Sequence, residues 1–191
     1  MSCLKKIQIK DKIYTADTSF RKAIKCNEIA TDVTIGDFER SLAIICTIFG
    51  EEGLENPEHY NKLLEWIQDY LSCGKEIEES DEEPDMDYSE DMEYIEASFM
   101  SDYNIDLEKE DMSWSKFNKL INGLSNSEFG NCCVLNRVRN LRNKDPKTIK
   151  DKKDREELIK AQQKVALNKN KTKLTEEQIR SAEELYNSLG L

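Results

Sequence analysis

Apolar side chains recur at steps of three and four along most of this chain, and little interrupts them. Phe38, Leu42, Ile45 and Phe49 form one such set, and Tyr60, Leu63, Leu64, Ile67 and Leu71 a second. Met92, Ile95, Phe99 and Tyr103 form a third, and Trp114, Phe117, Ile121 and Leu124 a fourth. A helical period places each set on one side of an α-helix. Glycine (7) and proline (3) are scarce among the 191 residues, which removes the turns that a β-sandwich needs. The pattern predicts a mainly α protein: a multi-helix, antiparallel, bundle-like domain with short loops. The start of the chain is the exception. Ile7 and Ile9 alternate with polar residues, Lys10-Asp11-Lys12 can turn, and Ile13 and Tyr14 resume, so a small N-terminal β-hairpin is expected to lie on the helices.

Caps and breakers punctuate these stripes. Asp17, Thr18 or Ser19 can cap a short helix through Phe20 and Ile24. A second helix follows Gly36 and ends at Gly50 and Gly53. Asn56 followed by Pro57 reads as the start of a third, and Gly74 as its stop. Ser125 or Ser127 can cap a later helix in which Phe129, Val134, Val138 and Leu141 face inward. Asp145-Pro146 opens a further turn. Thr175 and Gln178 form a capping box for a last helix with Ile179, Ala182, Leu185, Tyr186 and Leu189 on its face.

Charge divides the chain. Residues 76–111 hold 17 acids against one base, Lys109, a net of −16, whereas residues 137–173 hold 14 bases and 5 acids, a net of +9. The run from Glu76 to Asp87 has too little apolar surface to offset the entropy of ordering it, so it reads as a linker. The expected organisation is an N-terminal hairpin with a helical subdomain (1–74), an acidic linker (75–88), an aromatic-rich helical subdomain (89–168) and a C-terminal helical extension (169–191).

Little here points to catalysis. No phosphate-binding glycine loop, HExxH or GxSxG occurs. The single histidine, His59, has no acid or nucleophile near it in sequence and reads as solvated. The six cysteines lack CxxC spacing and read as reduced, buried or half-buried thiols rather than zinc ligands. The acids of 76–111 lack the glycine-containing calcium loop. No enzyme, cofactor or metal is expected. The basic tract from Arg137 to Lys173 has no aromatic residue to stack on bases, so nucleic acid is not the favoured partner. It fits a solvated helix face or an intramolecular partner for the acidic linker. The chain has no long apolar run and begins without a signal-peptide core, so no membrane is expected and the cytoplasm is the expected compartment.

The aromatic residues are concentrated. Tyr94, Phe99, Tyr103, Trp114, Phe117 and Phe129 lie close together beside the acidic run. Some of them are expected to stay exposed as a partner-binding groove, formed by Tyr94, Phe99, Tyr103, Trp114, Phe117, Leu120 and Ile121, with the carboxylates keeping it soluble.

Three stretches carry a resemblance: "YLSCGKE" (Tyr70 to Glu76), "YIEASFMSDYNIDL" with "MSWSKFNKLINGL" (Tyr94 to Leu124), and "IKDKKDR" (Ile149 to Arg155). Their order and spacing resemble a family of small phage proteins encoded beside the tail tape-measure gene and regarded as tail assembly chaperones of long-tailed bacteriophages. The chain departs from the family pattern at Ser115, where members tend to carry a second tryptophan, and the resemblance does not cover the last residues. It implies a non-enzymatic chaperone in the cytoplasm of the bacterial host. The implied partner is the tape-measure protein, with the major tail protein as a second one. Two other readings are a structural tail component that stays in the virion and an acidic mimic of DNA that blocks a nucleic-acid-binding enzyme.

Overall fold

The computed structural model describes residues 3–75, 84–127 and 131–168. It is mainly helical with one small hairpin, as the periodicity predicts. Strands β1 (Leu4–Ile9) and β2 (Lys12–Asp17) precede seven helices among the described residues: α1 (Phe20–Thr31), α2 (Asp37–Phe49), α3 (Tyr60–Leu71), α4 (Met92–Tyr103), α5 (Trp114–Asn122), α6 (Val134–Asn143) and α7 (Lys152–Val165). The chain forms two compact units, residues 1–82 with 95–124 and residues 83–94 with 125–191. Phe129, most of the acidic run and the whole C-terminal extension, with its capping box and apolar face, lie outside the described residues.

In the first unit the hairpin is antiparallel, with Ile9 opposite Lys12 and Leu4 opposite Asp17. Lys10 sits at φ 53°, the left-handed conformation that a two-residue hairpin turn favours at its first central position. The alternation sorts the faces. Ile9, Tyr14 and Ala16 are buried, while Leu4 and Ile13 point outward and are exposed. The inner residues join Cys26 of α1, Ile45, Ile48 and Phe49 of α2, and Leu63 and Ile67 of α3 in one core.

Several caps differ from expectation. α1 runs for 12 residues rather than as a short helix, and the Ser19 side chain makes no capping bond. Instead Asp17 Oδ1 accepts the Ser19 N–H at 3.0 Å. α2 does follow Gly36 and stops at Gly50, whose φ of 66° suits glycine. Its stripe is shifted, however: Phe38 is exposed, and Ile48 takes the inward position. Gly53 packs so closely on α2 that a Cβ there would lie 2.8 Å from Ile45 Cγ2 and from Phe49 Cβ. Asn56 and Pro57 open a short 3-10 turn before α3, but the Asn56 side chain does not cap it.

The second part of the first unit is joined to the first part at a two-residue bridge. Ser19 pairs with Ser113, the Phe20 N–H donates to Met112 O at 2.9 Å, and the Trp114 N–H donates to Thr18 O at 3.0 Å. α1 and α5 thus begin side by side. Arg21 ties down the loop between α4 and α5, donating to the carbonyls of Leu107 and Glu110 at 2.5 and 3.2 Å.

The second unit is built around ion pairs more than apolar area. Asp91 is fully buried, and both its oxygens accept from the Arg142 guanidinium at 2.7 Å. Arg142 also donates to Asp85 O and Val165 O, and Arg139 pairs with Asp85 at 3.1 Å. The basic helix α6 therefore finds its acids in the stretch just before α4. Leu135, Leu158 and Leu167 supply the apolar interior. α6 starts later than Ser125 or Ser127 would place it, because Cys133 occupies the cap and its sulfur accepts the Asn136 N–H. Buried Asn136 then holds Ser125 O at 3.1 Å. Leu135, rather than Val134 or Val138, is the fully buried residue of that helix.

Candidate functional site

The rings expected to form an open groove are packed inward instead. Phe99 and Phe117 are 0% exposed, Trp114 2% and Ile121 5%. Tyr103 and Leu120 are half-buried, as is Tyr94, which belongs to the second unit. In the first unit Phe117 is the centre of a stack. Phe20 lies on it at 4.6 Å between centroids, Phe99 at 5.3 Å and Trp114 at 5.7 Å, all within 22° of parallel. The polar ends are satisfied internally: Trp114 Nε1 donates to Leu71 O and the Tyr103 hydroxyl to Leu120 O, both at 2.8 Å. Sealed, hydrogen-bonded aromatic rings are core, not a docking face. The spacing correctly put these residues on one side of each helix. It could not show that Phe20, far upstream, would cover them.

An accessible apolar groove does exist elsewhere in the first unit. It opens between α1, α2 and α3, has a volume of about 470 Å³, and is lined by Asn27, Ile44, Leu64, Ile67, Gln68, Leu71 and Ser72. Ile44, Leu64 and Leu71 are only half-buried, so their outer surfaces form its walls. Beside it on α3, Glu65 and Asp69 are exposed and take part in no ion pair among the described residues. Sequence reasoning assigned Leu64 and Leu71 to the inner face of α3 and so missed the groove. The spacing gave little sign of it: Tyr60, Leu63, Leu64, Ile67 and Leu71 follow the pattern of a single packed face.

His59 also departs from expectation. It is 3% exposed, and its Nδ1 lies 2.9 Å from the Tyr14 hydroxyl. Asn56 Nδ2 donates to the same hydroxyl at 3.1 Å. Tyr14 is itself fully buried, so His59 and Tyr14 satisfy one another in the core, with half-buried Asn56 at its edge. The arrangement holds the start of α3 against the hairpin.

Two of the thiols are held in their protonated form. Burial pushes Cys26 up to about 12, away from the thiolate that a nucleophile requires. Cys3 is raised by burial and by the nearby Asp111 carboxylate. Cys73 is exposed, unlike the buried or half-buried state expected of every cysteine, and none of the six forms a disulfide. Among the described residues, no group of three or more His, Cys, Asp or Glu is placed to hold a metal ion. No helix among them is long and apolar enough to cross a membrane.

The sequence profile of the family described as Bacteriophage Gp15 protein matches residues 2–167, so the chain belongs to that family. Comparison with curated proteins and with solved structures found no match.

Proposed function

We propose that this chain, as a member of the bacteriophage Gp15 protein family, acts without catalysis as a tail assembly chaperone that binds an amphipathic helix of the tape-measure protein. The groove between α1, α2 and α3 is the observation that carries this reading. Its apolar walls accept side chains presented at i, i+3, i+4 and i+7 by a helix that would otherwise expose them. Glu65 and Asp69 favour a client whose apolar stripe is flanked by lysine or arginine, and they discourage self-association of this strongly acidic chain. The major tail protein is a second client by the same chemistry. The binding face is therefore assigned to Ile44, Leu64 and Leu71 rather than to the stacked rings, which serve to hold the unit together.

Co-expression with the tape-measure protein of the same phage tests the proposal. The intact chain raises the soluble yield of the client, and Leu64→Glu with Leu71→Glu removes that gain while the circular dichroism of the chaperone is kept. An unchanged client yield with the intact chain would overturn the reading. Stoichiometric copies in purified virions would replace it with a structural tail component.

A further inference from the structure

The turn that joins α6 to α7 is basic in a chain of net charge −11. Lys144, Lys147, Lys150, Lys152 and Lys153 lie within this one stretch, and all are exposed. The two acids among them are already engaged. Asp145 accepts the Lys147 N–H at 2.8 Å, and Asp151 accepts the N–H groups of Lys153 and Asp154 at 2.8 and 3.1 Å. Lys152 and Lys153 reach Glu156 and Glu157 only at 3.9 and 4.0 Å, and exposed pairs of that length contribute little. Lys144, Lys147 and Lys150 take part in no ion pair among the described residues.

The backbone beneath these lysines is pinned. The Gln162 amide donates to the carbonyls of Leu141, Arg142 and Lys144 at 3.0, 3.3 and 2.6 Å. The Arg155 guanidinium donates twice to Ile149 O, at 3.1 and 2.7 Å, and the Thr148 hydroxyl to Asp145 O at 2.7 Å. A pre-ordered turn loses less entropy on binding than a floppy one.

We propose that this turn is a docking surface for an acidic polypeptide segment of a partner protein. Its charges are spread along the turn as separate ammonium groups, which suits an extended run of carboxylates. The first N–H groups of α7 are taken by Asp151, which leaves no cradle for a compact phosphate. Nucleic acid is disfavoured by the lack of any aromatic residue from 131 to 168 to stack on bases. The assignment does not depend on what fills the groove of the first unit.

Fluorescence anisotropy of a short labelled glutamate-aspartate peptide, titrated with the full chain at low salt, tests it. The intact chain binds the peptide, and the affinity falls as salt rises. The triple variant Lys144→Gln, Lys147→Gln, Lys150→Gln, which alters only exposed side chains, binds about tenfold more weakly. No binding at low salt, or equal binding by the variant, overturns the proposal. So does a DNA duplex of equal charge that binds more tightly than the peptide. Neutralising Glu78, Glu79, Asp81, Glu82 and Glu83 provides a further check. A large gain in peptide affinity on that change would mean that the chain's own acids occupy the turn, and a role for a partner would fall.

Discussion

Arg142 and Asp91 stand 51 positions apart and close a bidentate pair in which both N···O distances are 2.7 Å. Their side chains are 9% and 1% exposed. The Asp91 carboxylate also accepts the Asp87 N–H, and the pair holds Arg142 above its ordinary range. Removing one partner strands a buried charge, whereas removing both does not. Arg142→Ala is expected to cost the second unit about 3–5 kcal/mol, and the double change Asp91→Leu with Arg142→Leu considerably less. Urea denaturation of the full chain measures both.

Tyr14→Phe deletes only a hydroxyl, but that hydroxyl is shared by His59 and Asn56. His59 would be left in the core without it, and Asn56 half-buried without it. A loss of about 1–3 kcal/mol is expected, read from the same denaturation curves. Replacing His59 with leucine as well should recover part of it.

Gly53 and Gly50 separate two reasons for glycine. Gly53→Ala puts a methyl group 2.8 Å from two side-chain carbons of α2 and should cost about 1–3 kcal/mol by overpacking. Gly50→Ala meets nothing within 4 Å, and its cost comes from the left-handed backbone alone. Ile45→Ala removes the Cγ2 that the new methyl would meet, so its cost and that of Gly53→Ala should combine to less than their sum, whereas Gly50→Ala should add in full.

Alkaline pH should destabilise the first unit. Burial raises the Cys26 thiol from 9.0 to about 12, and it also raises Tyr70 above its ordinary 10.0. Below pH 9 both states keep the Cys26 proton and nothing is lost. Above it the unfolded chain releases a proton that the folded chain still holds. Stability then falls by about 1.4 kcal/mol per pH unit for this group until about pH 12, with Tyr70 adding its share from about pH 10. Denaturation midpoints from pH 7 to 10.5 should show the decline, and Cys26→Ala should flatten its first part.

Thiol labelling checks burial directly. Cys73 is exposed and should react with a maleimide first, whereas Cys26 and Cys133 are buried and should react only on unfolding. Early reaction at Cys26 would mean that the core of the first unit opens readily.

Legibility followed the range of the forces involved. The hairpin and the start of α2 depend on neighbours in sequence, and alternation and Gly36 announced them. Phe99, Trp114 and Phe117 were placed correctly on inward faces, but whether that face closes depends on Phe20 and on Leu71 O, which come from other parts of the chain. His59 shows the same limit: its burial is set by Tyr14, 45 positions earlier. The groove had the weakest trace of all, because it is a space left between three helices and no residue type marks it.

The bond from Trp114 to Leu71 spans 43 positions, and the Ser19–Ser113 bridge spans even more of the chain. A ribosome that makes this protein at about 5–20 residues per second needs roughly two to nine seconds to get from Leu71 to Trp114. During that interval the nascent hairpin and first three helices have no α5 to complete them, and Phe20 waits without its stacking partner. The chain thus begins its own life with an unshielded ring.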